Sequence, residues 1–169
     1  MNSKRLTKNF YLEDAEILAP RLLGKILVRR TENGIIRAVI TETECYKGTD
    51  DTACHASRGK TARTFVMFEE GGRAYVYLCY GMHNMLNIVT GAEGQPQAVL
   101  IRSLDEIRGP GRLTKAMDIT RELNGETLYE SDRLWLEDGD SLEYTQTPRI
   151  GIDYADKKDR ERLWRYIAK

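Results

Sequence analysis

Apolar positions recur along the chain with two different periods, and the switches between them mark the elements. Between Leu12 and Leu23, the residues Ala15, Leu18, Leu22 and Leu23 share one helical face. That stripe predicts a helix, with Pro20 kinking it or lying in its first turn and Gly24 ending it. Lys25–Arg30 (KILVRR) and Ile35–Glu44 (IIRAVITETE) predict two strands around Glu32-Asn33-Gly34, whose Asn-Gly step favours a tight hairpin. Arg73–Tyr80 (RAYVYLCY) and Asn84–Thr90 (NMLNIVT) predict a second hairpin across Gly81, and Gln97–Leu104 a further strand. A helix is expected over Pro110–Leu123, short strands at Leu134–Glu137 and Arg149–Ile152, and a charged closing helix over Asp156–Ala168. Residues 47–64 (KGTDDTACHASRGKTART) have no apolar run and predict a long polar loop. In a compact domain, loops of that length are usually functional or disordered.

Strands that follow strands, with helices between the groups, give an α+β fold. The sheet is expected to be mainly antiparallel and curved, flanked by helices. No linker, repeat or low-complexity tract divides residues 1–169, so one domain is expected. No run approaches the ~18 apolar residues of a membrane span. The first twelve residues mix Lys4, Arg5 and Lys8 with polar residues and do not resemble a signal peptide. Three cysteines in 169 residues do not make a disulfide framework, which points to a reduced, cytoplasmic protein, nucleoid-associated in a prokaryote. Formal net charge is zero, mildly against a nucleic-acid partner, but residues 54–115 carry 8 Lys/Arg against 5 Asp/Glu. One locally basic face is enough for such a partner.

Candidate chemistry begins at the end of the second strand. Glu42 and Glu44 point to the same face of a strand, and Glu44 sits where that strand enters the polar loop. A solvated polar face is the plainer account of the pair. Tyr46, Tyr75, Tyr77 and Tyr80 are four of nine tyrosines, with Tyr75 and Tyr77 on one face. Such a face is either core or a stacking slot for a flat heterocycle. Cys45, Cys54, His55, Cys79 and His83 include a Cys-x3-His, but CxxC spacing and an HxE…PCxxC arrangement are absent, and no metal or cofactor is expected. Gly71-Gly72 and Gly109-Pro110-Gly111 match neither GxGxxG nor a P-loop.

The stretches TETECYKGTDDTACHASRGKTART, FEEGGRAYVYLCYGMHNMLNIVT and AVLIRSL resemble the alkyladenine (3-methyladenine) DNA glycosylases. The similarity continues through LLGKILVRR, GPGRLTKAMDI, LWLE and TPRIGI, nearly the whole chain. The resemblance implies a single domain built on an open barrel like that in the C-terminal part of formyltransferases. It implies Glu44 as general base and Arg102 as the residue orienting the attacking water. Tyr46, His55 and Tyr77 would sandwich the flipped base, Tyr80 would insert into the duplex, and Asn87 would discriminate against the amino group of guanine. Ile150 matches the position whose carbonyl faces the water. Arg58, Arg63, Met67, Met82 and His83 are expected at the DNA contact surface, although His83 stands where vertebrate relatives carry tyrosine.

The chemistry of the lesion fits that inventory. A cationic alkylpurine is drawn to tyrosine faces by ~0.5–2 kcal/mol. It must leave the stack to be reached, and a wedge offsets part of that cost. A carboxylate that takes the water's proton also stabilises an oxocarbenium-like sugar. No lysine falls among the pocket residues, so a monofunctional glycosylase is expected. A neutral base such as hypoxanthine also needs a proton donor, for which His55 is a chemical candidate. The expected partner is double-stranded DNA carrying damaged purines, bound by a monomer. The competing readings are a non-catalytic lesion-binding module and a hydrolase of free nucleosides; Glu44 speaks against the first, Tyr80 with Arg58, Arg63 and Arg112 against the second.

Overall fold

The fold is built on one long strand. In the computed structural model, which describes residues 4–169, β2 (Gly34–Lys47) carries 14 residues and two sets of partners. Its first half pairs with β1 (Ile26–Thr31) through the expected hairpin, and β1 pairs on its far side with β7 (Leu134–Glu137). Its second half lies between β5 (Gln97–Leu104) and β9 (Arg165–Ala168). The hairpin β3 (Ala74–Cys79) and β4 (His83–Val89) extends the sheet beyond β5, in the order β3-β4-β5-β2-β1-β7. The short β6 (Ile107–Arg108) borders β5, and β8 (Tyr144–Thr147) borders β9. Every pairing is antiparallel. The β2–β5 register slips between Ile40 and Glu42 and again between Glu42 and Thr43. Such irregularities bend a strand and increase its twist, and here they curl the sheet into a half-barrel. The α+β expectation with a curved antiparallel sheet holds.

Helix α1 (Ala15–Arg21) buries Ala15, Leu18 and Ala19 against the sheet, where Leu22, Leu27, Ile40, Val99 and Ile101 complete the main core. The Thr43 hydroxyl donates to the Ala19 carbonyl at 2.8 Å and fixes this helix on β2 just ahead of Glu44. Pro20 lies in the last turn of α1 rather than the first, and the carbonyl it leaves unbonded belongs to the exposed Glu16.

Four local expectations fail for identifiable reasons. The helix expected over Pro110–Leu123 stops as α2 (Pro110–Ala116), because Asp118 is left-handed at φ 50° and no helix continues through that conformation. Arg149–Ile152 is not a strand: the Ile150 amide is spent on a side chain rather than on a ladder, and Gly151 turns the chain at φ 73°. The expected closing helix survives only as α3 (Lys157–Arg160), and Arg165–Ala168 forms β9 instead. Trp164 and Tyr166 both point inward, a period of two, and pairing with Glu42–Glu44 satisfies backbone that a helix would leave unbonded. Finally, the polar loop at 47–64 is partly interior. Cys54 and Ala56 pack with Val66, Met67, Tyr75, Val89 and Ala98 in a second core under the β3 edge of the sheet. No helix among the described residues is long and apolar enough to cross a membrane.

Candidate active site

Glu44 is completely buried, at 0% exposure, in the bent half of β2. One carboxylate oxygen, Oε1, accepts the Ile150 backbone N–H at 2.8 Å. The other, Oε2, accepts the Tyr46 hydroxyl at 2.7 Å and lies 3.5 Å from Arg102 Nη1. Arg102 Nε is 3.4 Å from Glu42 Oε1, so the two carboxylates do face one side and share one guanidinium. Glu42 also accepts Ser103 Oγ at 2.7 Å and Arg165 Nε at 2.5 Å. Burial alone would raise the Glu42 carboxyl, but Ser103 and Arg165 outweigh it and hold it below the usual carboxylate range. Glu42 is thereby committed to structure.

The residues that cover Glu44 line a cleft of about 470 Å³. Tyr46, Arg102 and Ile150 form the wall nearest the carboxylate, with His55, Tyr77 and Asn87 around the rest. His55 and Tyr77 meet with ring centroids 4.6 Å apart, and Tyr75 and Tyr77 at 5.3 Å. His55 Nδ1 is 2.9 Å from the Tyr75 hydroxyl, which fixes the imidazole plane. Burial, and then the positive charges of Arg63 and Arg58, push the His55 imidazole down to about 4. A neutral imidazole adds no positive charge beside Arg63 on that wall, and it is a poor proton donor near pH 7. Burial pushes Tyr75 up to about 12, and Tyr46 and Tyr77 are raised as well, so these phenols remain neutral donors. Asn87 donates its amide to the Tyr75 and Met85 carbonyls, at 3.2 and 3.5 Å, and is held rigidly at the cleft floor.

Tyr80 stands at the rim with 88% of its surface exposed. It opens the turn between β3 and β4 at φ 51°, followed by Gly81 at φ 66°. Two left-handed residues match the twist of a tight hairpin, but a tyrosine there is strained. Such strain is kept where the position of the side chain matters more than its stability. Met82 beside it is 71% exposed.

The other expected surface residues spread along this face. Arg63 lines the cleft, with its guanidinium 5.2 Å from the Tyr77 ring, and Arg58 lines a neighbouring recess of about 380 Å³. Met82 and His83 line a third, of about 250 Å³, against α2. Met67 is 2% exposed, packs in the second core and lines the cleft from within rather than standing on the outer face. Its side chain closes the core left open by small Ala56 and Ala98.

The sequence reading missed Arg149, Asp51 and Tyr154. Arg149 and Asp51 form a buried, two-pronged ion pair behind Tyr46, and the Tyr154 hydroxyl donates to the Ala53 carbonyl at the cleft mouth. An arginine among the apolar residues of TPRIGI was the available signal. Among the described residues no cluster of three His, Cys, Asp or Glu side chains is arranged to hold a metal.

The model of the methylpurine-DNA glycosylase family matches residues 9–108 and 104–169. This chain belongs to that family. As a methylpurine-DNA glycosylase family member it is a hydrolase of N-glycosyl bonds. Three similar proteins, each provisionally named a 3-methyladenine DNA glycosylase, span almost the same length. One from Wolbachia sp. subsp. Brugia malayi is 47% identical, covering 98% of both chains. One from Methanocella arvoryzae is 44% identical, covering 97% of this chain and 92% of its own. One from Borreliella burgdorferi is 40% identical, covering 97% and 96%. The family match therefore runs over all the strands of the half-barrel, and the cleft opens on the face that carries Tyr80 and Arg63.

Proposed function

We propose that this glycosylase flips an alkylated or deaminated purine out of duplex DNA and hydrolyses its N-glycosidic bond with a water activated by Glu44. The observation that carries this reading is the placement of Glu44: a buried carboxylate held by Tyr46, Ile150 and Arg102, directly behind an aromatic cleft of nucleobase size. A module that only bound lesions would have no use for that charge beside a phosphate backbone.

In the reaction, Tyr46, His55 and Tyr77 stack the flipped base and Tyr80 fills the space it vacates. Arg102 and Glu44 lie 3.5 Å apart, wide for a direct hydrogen bond, and a water oriented between the cleft and this pair meets both. The C1′–N9 bond breaks with its electron pair going to the purine. The water oxygen bonds to C1′ and its proton passes to Glu44. A cationic 7-methylguanine or 3-methyladenine leaves as a neutral base. Hypoxanthine and ethenoadenine need a proton from solvent or another group, because His55 is neutral. Asn87 at the cleft floor discriminates against the exocyclic amino group of guanine without barring it, since 7-methylguanine carries the same group. The products are a free base and an intact strand with an abasic site.

The test is release of free base from duplex oligonucleotides carrying hypoxanthine, ethenoadenine or 7-methylguanine. Release by the wild type and not by Glu44→Gln supports the reading. Lesion binding without release by either protein would establish a binding module instead.

A further inference from the structure

We infer that Arg149 is a positioning residue for the reaction, holding both hydrogen-bond donors of Glu44 in place from behind the cleft. Its side chain touches neither the cleft nor Glu44, and it is 5% exposed. Its two terminal nitrogens make four bonds. Nη1 donates to Asp51 Oδ2 at 2.7 Å and to the Cys45 carbonyl at 2.9 Å. Nη2 donates to Asp51 Oδ1 at 2.9 Å and to the Asp159 carbonyl at 3.2 Å.

These contacts reach each donor by a separate route. Arg149 precedes Ile150, so anchoring its side chain fixes the peptide whose N–H meets Glu44 Oε1. The Cys45 carbonyl lies between Glu44 and Tyr46, and the guanidinium carbon sits 4.8 Å from the centre of the Tyr46 ring. The cation therefore rests on the ring whose hydroxyl meets Glu44 Oε2. Trp164 covers the guanidinium as well, at 5.1 Å. Asp51 closes the system from the loop that follows β2: it accepts the Lys47 and Ala53 amides, both at 3.1 Å, so the same pair fixes the loop leading to His55. Asp159 adds a third anchor, accepting the Thr52 hydroxyl at 2.6 Å. A planar fork is required here, since a lysine has no geometry to hold Asp51 through two oxygens while reaching two carbonyls.

The inference rests on Glu44 being the catalytic base. The experiment compares wild type, Arg149→Lys and Asp51→Asn in single-turnover base release at saturating enzyme, with binding to lesion DNA and thermal unfolding measured on each. Leu134→Ala, in the core at β7 away from the cleft, serves as the control for lost stability alone. At a temperature where all four proteins are folded, Arg149→Lys and Asp51→Asn are expected to lose ten-fold or more in release rate. Their lesion-DNA Kd should stay within about three-fold and Leu134→Ala should keep its rate. Rates within two-fold of wild type in the folded variants would overturn the inference, as would rate and binding falling together. If Arg149→Lys does not fold, Asp51→Asn, which preserves shape and one acceptor, decides the matter by the same criteria. Glu44→Gln run alongside separates the two readings: if it retains activity, the base assignment fails whatever Arg149 does.

Discussion

Glu44 and Ile150 are 106 positions apart, yet the backbone N–H of one donates to the carboxylate of the other at 2.8 Å. With the Tyr46 hydroxyl on the second oxygen, this contact aims the carboxylate, and it is the feature from which the proposed chemistry follows.

Glu44→Gln keeps the size of the side chain and removes its ability to take a proton. Single-turnover base release should fall by 10² or more, while the Kd for lesion DNA changes by less than about five-fold. Retention of the wild-type rate would remove Glu44 from the mechanism.

Tyr80 is exposed and held in a left-handed conformation that costs a non-glycine residue about 1 kcal/mol or more. Tyr80→Gly should therefore melt at the wild-type temperature or slightly above it, because glycine relieves the strain and no packing is lost. Excision of a paired lesion should drop, and excision of the same lesion opposite a mismatch should drop less. Equal losses on both substrates would show that the tyrosine is not a wedge.

His55 is neutral in the folded protein down to about pH 4, whereas an unfolded histidine takes up a proton near its ordinary value of 6.5. Between those values the unfolded chain binds more protons, so stability rises with pH and is lost as pH falls through the window. After discounting for partial solvent exposure, this group contributes on the order of 2 kcal/mol of acid sensitivity. Urea unfolding at several pH values should show a shallower loss in His55→Gln than in wild type. Identical pH slopes for the two proteins would place the imidazole in an ordinary solvated setting.

Arg58 and Arg63 are exposed on the face that carries the cleft. Despite zero formal charge, affinity for lesion DNA should fall steeply with salt, about 0.9 in log-log slope per phosphate neutralised. Arg63→Ala should lower that slope by about one phosphate equivalent. A salt-independent affinity would argue against the duplex as substrate.

No lysine lines the cleft among the described residues, so no amine is placed to form an imine with the sugar. Borohydride added during turnover should trap no enzyme–DNA adduct, and strands should break only after alkali or heat. An adduct would reveal a nucleophile beyond the cleft residues named above.

Much of this protein is determined by the order of its residues alone. The Asn-Gly turn, the existence of strands β1 to β5, and the sharing of one face by Glu42 and Glu44 and by Tyr75 and Tyr77 are local properties, set by pleat and turn geometry within a few residues. The exposure of Tyr80 follows from the same local rule, since it opens a two-residue left-handed turn. Only the tertiary structure decided what depends on chain closure. The segment Arg165–Ala168 becomes a strand because bent β2 has an unpaired edge there, whatever its helical-looking charge pattern. Met67 is drawn inward because Ala56 and Ala98 leave space that its flexible side chain fills. Asp51 and Arg149, 98 positions apart, are each too costly to bury alone and are buried only as a pair. Periodicity reports which face of an element is apolar; it carries no record of which distant charge will meet which, and it is that meeting which aims Glu44.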